Sequence, residues 1–291
     1  MKRIYIKARA KVNLCLNVLN KRPDGYHNLE TVFQKISLYD ELYIERTNTN
    51  NIELFCNIKE LETKSNIIVK AYTKLKEQNP SISGIKITLI KNIPSEAGLA
   101  GGSTDCASFL IAMNKLFNLK YSMKDLINIG KTLGADVPSC LQKNALLATG
   151  IGEIITPINT SLKYYIVIIK PKISLSTKLM YEKLDCKNNI IQKYNSKKIV
   201  KALETNNFEM LKENLYNVFE ETIEDISEIE NLKEILIQNG AKSSILTGSG
   251  SCVFGLFSNK EEAKMAYYSL KKLYNTFFCV AYNKEVQESV V

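Results

Sequence analysis

Residues 93–106 read Ile-Pro-Ser-Glu-Ala-Gly-Leu-Ala-Gly-Gly-Ser-Thr-Asp-Cys, and three of the chain's 13 glycines, Gly98, Gly101 and Gly102, cluster there. Without a Cβ, glycine lets the backbone come close to a ligand. The free N–H groups of a helix starting after such a loop favour an anion, phosphate above all. Ser103 and Thr104 can cap that helix and offer hydroxyls to a phosphate or a bound metal. Gly101 sits where the backbone is expected to approach the phosphate. A glycine turn that only packs tightly has the same composition, and the cluster alone does not separate the two. No Gly-Lys-Ser/Thr follows, so this is not a Walker loop, and the spacing is not the dinucleotide pattern Gly-x-Gly-x-x-Gly.

Three other places carry chemically capable side chains. Residues 10–18 alternate, with Val12, Leu14, Leu16 and Val18 on one face and Lys11, Asn13, Cys15 and Asn17 on the other. By spacing alone, the lysine face belongs in water. Pro23-Asp24-Gly25 is turn chemistry, and Tyr26 and His27 follow it directly. His27 is the chain's single histidine, which argues against a histidine metal site or a Ser-His-Asp hydrolase. Asp136 lies in Gly134-Ala135-Asp136-Val137-Pro138. Proline disfavours helix at the residue before it, so Asp136 is expected in a turn, where a lone aspartate reads first as a helix cap.

The elements that must position these groups are legible in outline. An alternating strand over 84–91 leads into the glycine loop, and a helical pattern of Cys106, Phe109, Leu110, Met113 and Leu116 leaves it. Short strands are expected at 32–38, 42–45 and 52–56. Ser65 should cap a helix over about 66–78, and Ser122 with Asp125 a second helix that ends at Gly134 as its C′ residue. Gly150 and Gly152 mark the turn of a hairpin over 145–155. Pro157 and residues 159–161 form the one plausible linker. Beyond it come a buried strand over 164–169, a short helix capped by Ser176 and carrying Tyr181, and three helical patterns over 196–239. A strand–glycine loop–strand over 244–254, a helix over 261–273 and a strand over 277–282 complete the chain.

The 291 residues suffice for two domains. A hydrophobic share of 45% with 24% charged residues is that of a soluble globular protein. No apolar run approaches the ~20 residues of a membrane span. The start, MKRIYIKARAKV, has neither an apolar core nor a cleavage site, so no signal peptide is expected. Seven scattered cysteines, with no Cys-x-x-Cys, fit reduced thiols in a cytoplasm better than a disulfide framework or structural zinc. The net charge of +9 is spread over dispersed lysines without an arginine stripe, which favours solvated faces over a nucleic-acid footprint.

The glycine stretch, Pro94-Ser95-Glu96-Ala97-Gly98-Leu99-Ala100-Gly101-Gly102-Ser103, resembles the second signature motif of the GHMP kinases. Glu96 and Ala97 depart from the glycine-rich start frequent there. The Lys11-x-Asn13-Leu14 strand resembles the first motif, and Thr247-Gly-Ser-Gly250 the third. Arg22-x-Asp24-Gly25-Tyr26-His27 resembles a segment specific to the diphosphocytidyl-methylerythritol kinase family within that superfamily. The resemblance covers nearly the whole chain. It implies an α+β fold of two domains: residues 1–157 for nucleotide binding, and residues 158–291 ferredoxin-like, with the active site in the cleft between them. It implies transfer of a phosphoryl group from ATP, with Mg²⁺, to the 2-hydroxyl of a cytidyl diphosphate-linked methylerythritol, in isoprenoid precursor synthesis by the non-mevalonate route.

By that resemblance residues 94–104, through Thr104, hold the triphosphate. Asp136 is the base, and Lys11 orients the hydroxyl beside Asn13. Tyr26 stacks on cytosine, His27 contacts its edge, and Tyr181 is the candidate for the second stacking ring or else a half-buried helix tyrosine. The protein ligands of Mg²⁺ are not indicated, with Ser103 one candidate, and neither is the oligomeric state. A mevalonate- or homoserine-type kinase would keep the glycine loop and Asp136 but has no reason for the Asp24–His27 segment. A basic nucleic-acid-binding protein would explain the charge but not the ordered motifs.

Overall fold

The computed structural model describes residues 2–187, 195–223 and 227–283. The chain opens with two long antiparallel strands, β1 (Arg3–Lys21) and β2 (His27–Arg46), joined by the Pro-Asp-Gly turn. There follow β3 (Ile52–Cys56), α1 (Ile67–Gln78) and β4 (Ile85–Ile90). Next come α2 (Gly101–Leu116), α3 (Met123–Lys131) and the single turn α4 (Val137–Cys140). The hairpin of β5 (Leu146–Gly150) and β6 (Ile154–Pro157) closes the first half. The second half runs β7 (Tyr165–Lys170), α5 (Thr177–Asp185), α6 (Ser196–Glu204), α7 (Phe208–Glu213) and β8 (Tyr216–Asn217). It ends with α8 (Ser227–Gln238), β9 (Ser243–Leu246), β10 (Val253–Phe257), α9 (Lys260–Leu270) and β11 (Asn275–Val280).

Two sheets result. The seven-stranded one runs β3-β4-β2-β1-β8, with β5 also paired to β2 and β6 to β5. The four-stranded one runs β11-β7-β10-β9. Counting only the strands of this sheet in chain order, that is fourth, first, third, second, all antiparallel, which is the ferredoxin-like order. Residues of β7 explain the unbroken apolar run there. Ile166 and Ile168 pack into one core with Val12, Leu14 and Phe254, while Val167 and Ile169 pack on the other face with α8 and α9. The first of these cores draws on both halves of the chain, and β8, from the second half, joins the first sheet alongside β1.

Several local expectations shift. The lysine face of β1 is not in water: Lys11 is 6% exposed and Asn13 1%. Strict alternation also breaks. The register slips between Asn13 and Cys15, and Leu16 consequently shares the cleft wall with Lys11 and Asn13. A bulge of this kind re-aims every side chain beyond it. The expected pair of strands over 32–45 is the single strand β2. Asp40, between the two expected strands, is fully buried, with its carboxylate accepting from the N–H groups of Asn92 and Ile93.

Asn66, not Ser65, caps α1, by accepting from the Ile68 N–H. Ser122 and Asp125 form a reciprocal capping box on α3, the kind of cap whose loss typically costs ~1 kcal/mol. That helix closes at Thr132, and Gly134 lacks the left-handed conformation of a C′ glycine. Among the described residues no helix is long and apolar enough to cross a membrane.

Candidate active site

The glycine loop takes a strained path. Glu96, Gly98 and Ala100 have φ of 50°, 70° and 57°, so three alternate residues are left-handed. Left-handed non-glycine residues cost of order 1–3 kcal/mol each and persist where the surroundings impose them. The N-cap position of α2 is Ala100, with no side-chain cap. Ser103 and Thr104 therefore do not cap the helix. Thr104 is fully buried and donates to the Arg9 carbonyl at 2.7 Å, so its hydroxyl is not offered to a ligand. Uncapped, the first N–H groups of α2 open on a cleft of ≈ 650 Å³. Residues 94–103 all line that cleft, with Lys11, Asn13, Asp136, Tyr181 and the 248–250 loop.

The glycines divide the work. A Cβ on Gly98 would lie 2.0 Å from the Thr247 carbonyl oxygen, so this glycine seats the loop against the turn between β9 and β10. A Cβ on Gly101 would meet Ile93 at 3.2 Å and Lys91 Nζ at 3.3 Å, so a side chain there would press into the packing beneath the loop, while the Gly101 backbone lines the cleft. Gly102 has open space and faces the cleft. Gly102→Val should therefore leave the melting temperature near wild type, since valine is no worse than glycine in a helix. It should weaken ATP binding at least roughly tenfold by filling the phosphate approach. Calorimetry on the folded variant checks this, and wild-type affinity would remove the phosphate site from this loop.

Beneath the loop, Lys91 is held between Asp40 and Asp105, the latter at 2.7 Å. Burial opposes the Lys91 ammonium, but the two carboxylates outweigh it and its pKa is raised. Burial pushes the Asp105 carboxyl well up against the pull of Lys91. This triad bolts the chain ahead of the glycine loop to β2 and to α2.

Across the cleft, Lys11 Nζ donates to Asn13 Oδ1 at 2.7 Å and to the Gly98 carbonyl at 3.0 Å, and lies 3.8 Å from Asp136 Oδ2. Burial lowers the pKa of Lys11, and Asp136 partly restores it. Asn13 Nδ2 donates to Thr31, so both polar ends of Asn13 are committed inside the protein. It orients Lys11 rather than reaching outward. Asp136 stands at the N-cap position of α4, with Pro138 behind it, yet makes no capping hydrogen bond. Its side chain is 39% exposed and lines the cleft. The arrangement is a lysine-steadied carboxylate on the same cleft as an uncapped helix start.

At the far end of the cleft, Tyr181 is placed by α5, which Ser176 caps. Its ring stacks on His27 (4.8 Å, 28°) and meets Phe219 edge-on (4.9 Å, 83°). His27 Nε2 pairs with Asp185 Oδ1 at 2.7 Å, and Lys21 pairs with the other oxygen at 2.6 Å. Tyr26 is 57% exposed and stands outside the cleft wall. The structure thus joins Tyr181 to His27, and neither His27 nor Tyr26 is itself part of the cleft wall.

The comparisons with known proteins decide the family. Residues 66–144 match the GHMP kinases N terminal domain, and residues 199–276 the GHMP kinases C terminal domain. A 4-diphosphocytidyl-2-C-methyl-D-erythritol kinase of Alkaliphilus oremlandii is 41% identical over 283 residues, 96% of this chain and 97% of the relative. The chain belongs to the GHMP kinases. A protein of the same description from Clostridium perfringens is 38% identical over 92% of this chain and 94% of its own. The crystal structure of a 4-(cytidine 5'-diphospho)-2C-methyl-D-erythritol kinase superposes with a TM-score of 0.84 at 27% identity, covering 96% of this chain and all of that one. A homoserine kinase from Cytophaga hutchinsonii shares the fold, with a TM-score of 0.79 at 18% identity, covering 100% of this chain and 98% of that one.

This GHMP kinase is an ATP-dependent enzyme with the family's two-domain α+β fold. The sequence alone assigns no role to Lys91, Asp40, Thr31, Phe219 or Asp185. The partners in these contacts are mostly tens of residues apart or more, so no local pattern announces them.

Proposed function

We propose that this kinase phosphorylates the 2-hydroxyl of 4-diphosphocytidyl-2-C-methyl-D-erythritol, using ATP and Mg²⁺, in non-mevalonate isoprenoid precursor synthesis. The observation that carries the reading is one continuous cleft with the anion-binding start of α2, the Lys11–Asp136 pair and the Tyr181 ring along it. Curated relatives near 40% identity carry the same substrate in their names. The triphosphate lies against residues 94–103. The adenine takes an adjoining cavity of ≈ 320 Å³ whose walls include Asn66, Ile67, Lys91 and Ser95.

The loop offers a cation the Ser95 and Ser103 hydroxyls and the exposed Glu96 carboxylate. An all-oxygen set of this kind suits a hard ion that keeps several waters and binds chiefly through nucleotide phosphates. Ser103 and Glu96 are the residues that would hold it. When bound, Mg²⁺ neutralises charge on the phosphate oxygens. Asp136 takes the proton of the substrate hydroxyl as its oxygen bonds to the γ-phosphorus and the bond to ADP breaks. Lys11 holds the acceptor oxygen and offsets negative charge developing there.

Residues 1–157 and 158–291 serve as nucleotide-binding and substrate-closing domains. The substrate is a small molecule rather than nucleic acid. Seven unpaired thiols, six of them buried, fit a cytoplasmic setting.

Coupled phosphorylation assays on the cytidyl substrate, the free erythritol phosphate, mevalonate and homoserine test the reading. Turnover should require the cytidyl group. Tyr181→Ala should raise the KM for the cytidyl substrate at least roughly tenfold, as loss of base stacking does, and leave the KM for ATP unchanged. Tyr26→Ala should have the smaller effect, because Tyr26 stands outside the cleft. Efficient turnover of mevalonate or homoserine would overturn the assignment.

A further inference from the structure

Lys35 is a buried lysine for which neither the fold nor the chemistry so far supplies a use. It is 7% exposed and sits directly opposite Lys11 in the β1–β2 register. Like charges in facing positions of a strand pair destabilise the sheet. Among the described residues no carboxylate pairs with its ammonium, and its Nζ donates to one group, the Cys140 carbonyl, at 2.6 Å. Burial lowers its pKa, and Arg9 adds to that. An uncompensated buried cation is costly, so something holds it in place.

Its partner gives the reason. Cys140 is the last residue of α4, and its N–H donates back to the Asp136 carbonyl at 3.0 Å. Lys35 therefore grips the C-terminal carbonyl of the one-turn helix whose opposite end carries Asp136. A cation is favoured at that end of a helix. All four residues of α4 are buried and Ser139 donates to the Gly152 carbonyl at 3.0 Å, so the body of the helix is packed, while the Asp136 side chain at its start makes no cap and has only the 3.8 Å ion pair with Lys11, so its position follows that of the helix whose C-terminal carbonyl Lys35 holds. Lys11, Lys35, Asp136, Ser139 and Cys140 surround a residual cavity of ≈ 10 Å³, too small for substrate, so Lys35 acts from behind the site.

We propose that Lys35 is a positioning residue for phosphoryl transfer, fixing Asp136 through the Lys35–Cys140–Asp136 connection. This rests on reading Asp136 as the base. Displacing a reacting group by about 1 Å can cost roughly 10²-fold in rate.

A double-mutant cycle tests it. Lys35→Met should lower kcat at least roughly tenfold while the KM values for ATP and the cytidyl substrate stay within about twofold. In the Asp136→Asn background the same change should cost less than about twofold, because its target is already gone. A folded Lys35→Met enzyme with wild-type kcat overturns the inference. So does an undiminished loss in the Asp136→Asn background, or a loss of stability with both KM values raised and kcat kept. A near-normal kcat in Asp136→Asn alone would remove the base assignment first, and this inference with it. If Lys35→Met does not fold, Lys35→Arg, which keeps the charge but displaces the donor, is read through the same cycle against the same outcomes.

Discussion

Asp136→Asn is expected to lower kcat roughly 10²–10⁴-fold, the usual share of general-base catalysis, with little change in the dissociation constants of ATP or the cytidyl substrate. The substitution keeps the shape of the side chain. It removes the carboxylate, 3.8 Å from Lys11 and facing the cleft. A helix cap would behave differently. Asn caps as well as Asp, so a capping Asp136 would leave both stability and kcat near wild type. The absence of any capping bond at Asp136 already argues against that role. Lys11→Ala should also lower kcat, and the double variant should lose less than the product of the two single losses, because the pair acts as a unit. Single-turnover kinetics of the folded Asp136→Asn enzyme decides the matter, and a near-normal rate would return Asp136 to a structural role.

The expectations that held in the structure came from residues whose chemistry is local. Ser122 and Asp125 mark a helix start, and Gly150 and Gly152 a hairpin turn, each within a few residues. The misreadings share one cause, which is distance along the chain. The lysine face of β1 was read as solvated because alternation does not reveal that a second sheet and the glycine loop close over it. Nothing local marks Asp40, because the groups that bind its carboxylate are Lys91, 51 residues away, and the backbone N–H groups of Asn92 and Ile93. Tyr26 and His27 look equivalent in sequence. Tyr26 lies in the turn ahead of β2, whereas His27 opens the strand and is the one Asp185 holds. The bulge between Asn13 and Cys15 is invisible to any periodic reading, yet it lets Lys11, Asn13 and Leu16 share one wall.

Gly98→Ala should cause the largest loss of stability of any single change in the glycine loop and abolish most activity with it. Two costs combine. Gly98 has φ of 70°, a left-handed conformation that costs an alanine about 1–2 kcal/mol. The added Cβ would also lie 2.0 Å from the Thr247 oxygen and 2.8 Å from its carbonyl carbon, both backbone atoms that no rotamer change can move aside. Forcing a methyl into a packed site costs typically about 1–3 kcal/mol. Relief requires the glycine loop and the 247–250 turn to separate, and Gly248, whose own Cβ would lie 2.9 Å from the Gly98 backbone, shows that the contact is tight from both sides. Separation would also withdraw the Gly98 carbonyl from Lys11 Nζ and loosen Thr247 from Asn13. The melting temperature should therefore fall by several degrees, at about 2–4 °C per kcal/mol for a chain somewhat shorter than this one, and kcat should fall with it. Gly102→Val, four residues on, should do the reverse: an intact fold that binds ATP poorly. A Gly98→Ala enzyme with wild-type melting temperature and kcat would show that the two loops need not touch for the cleft to work.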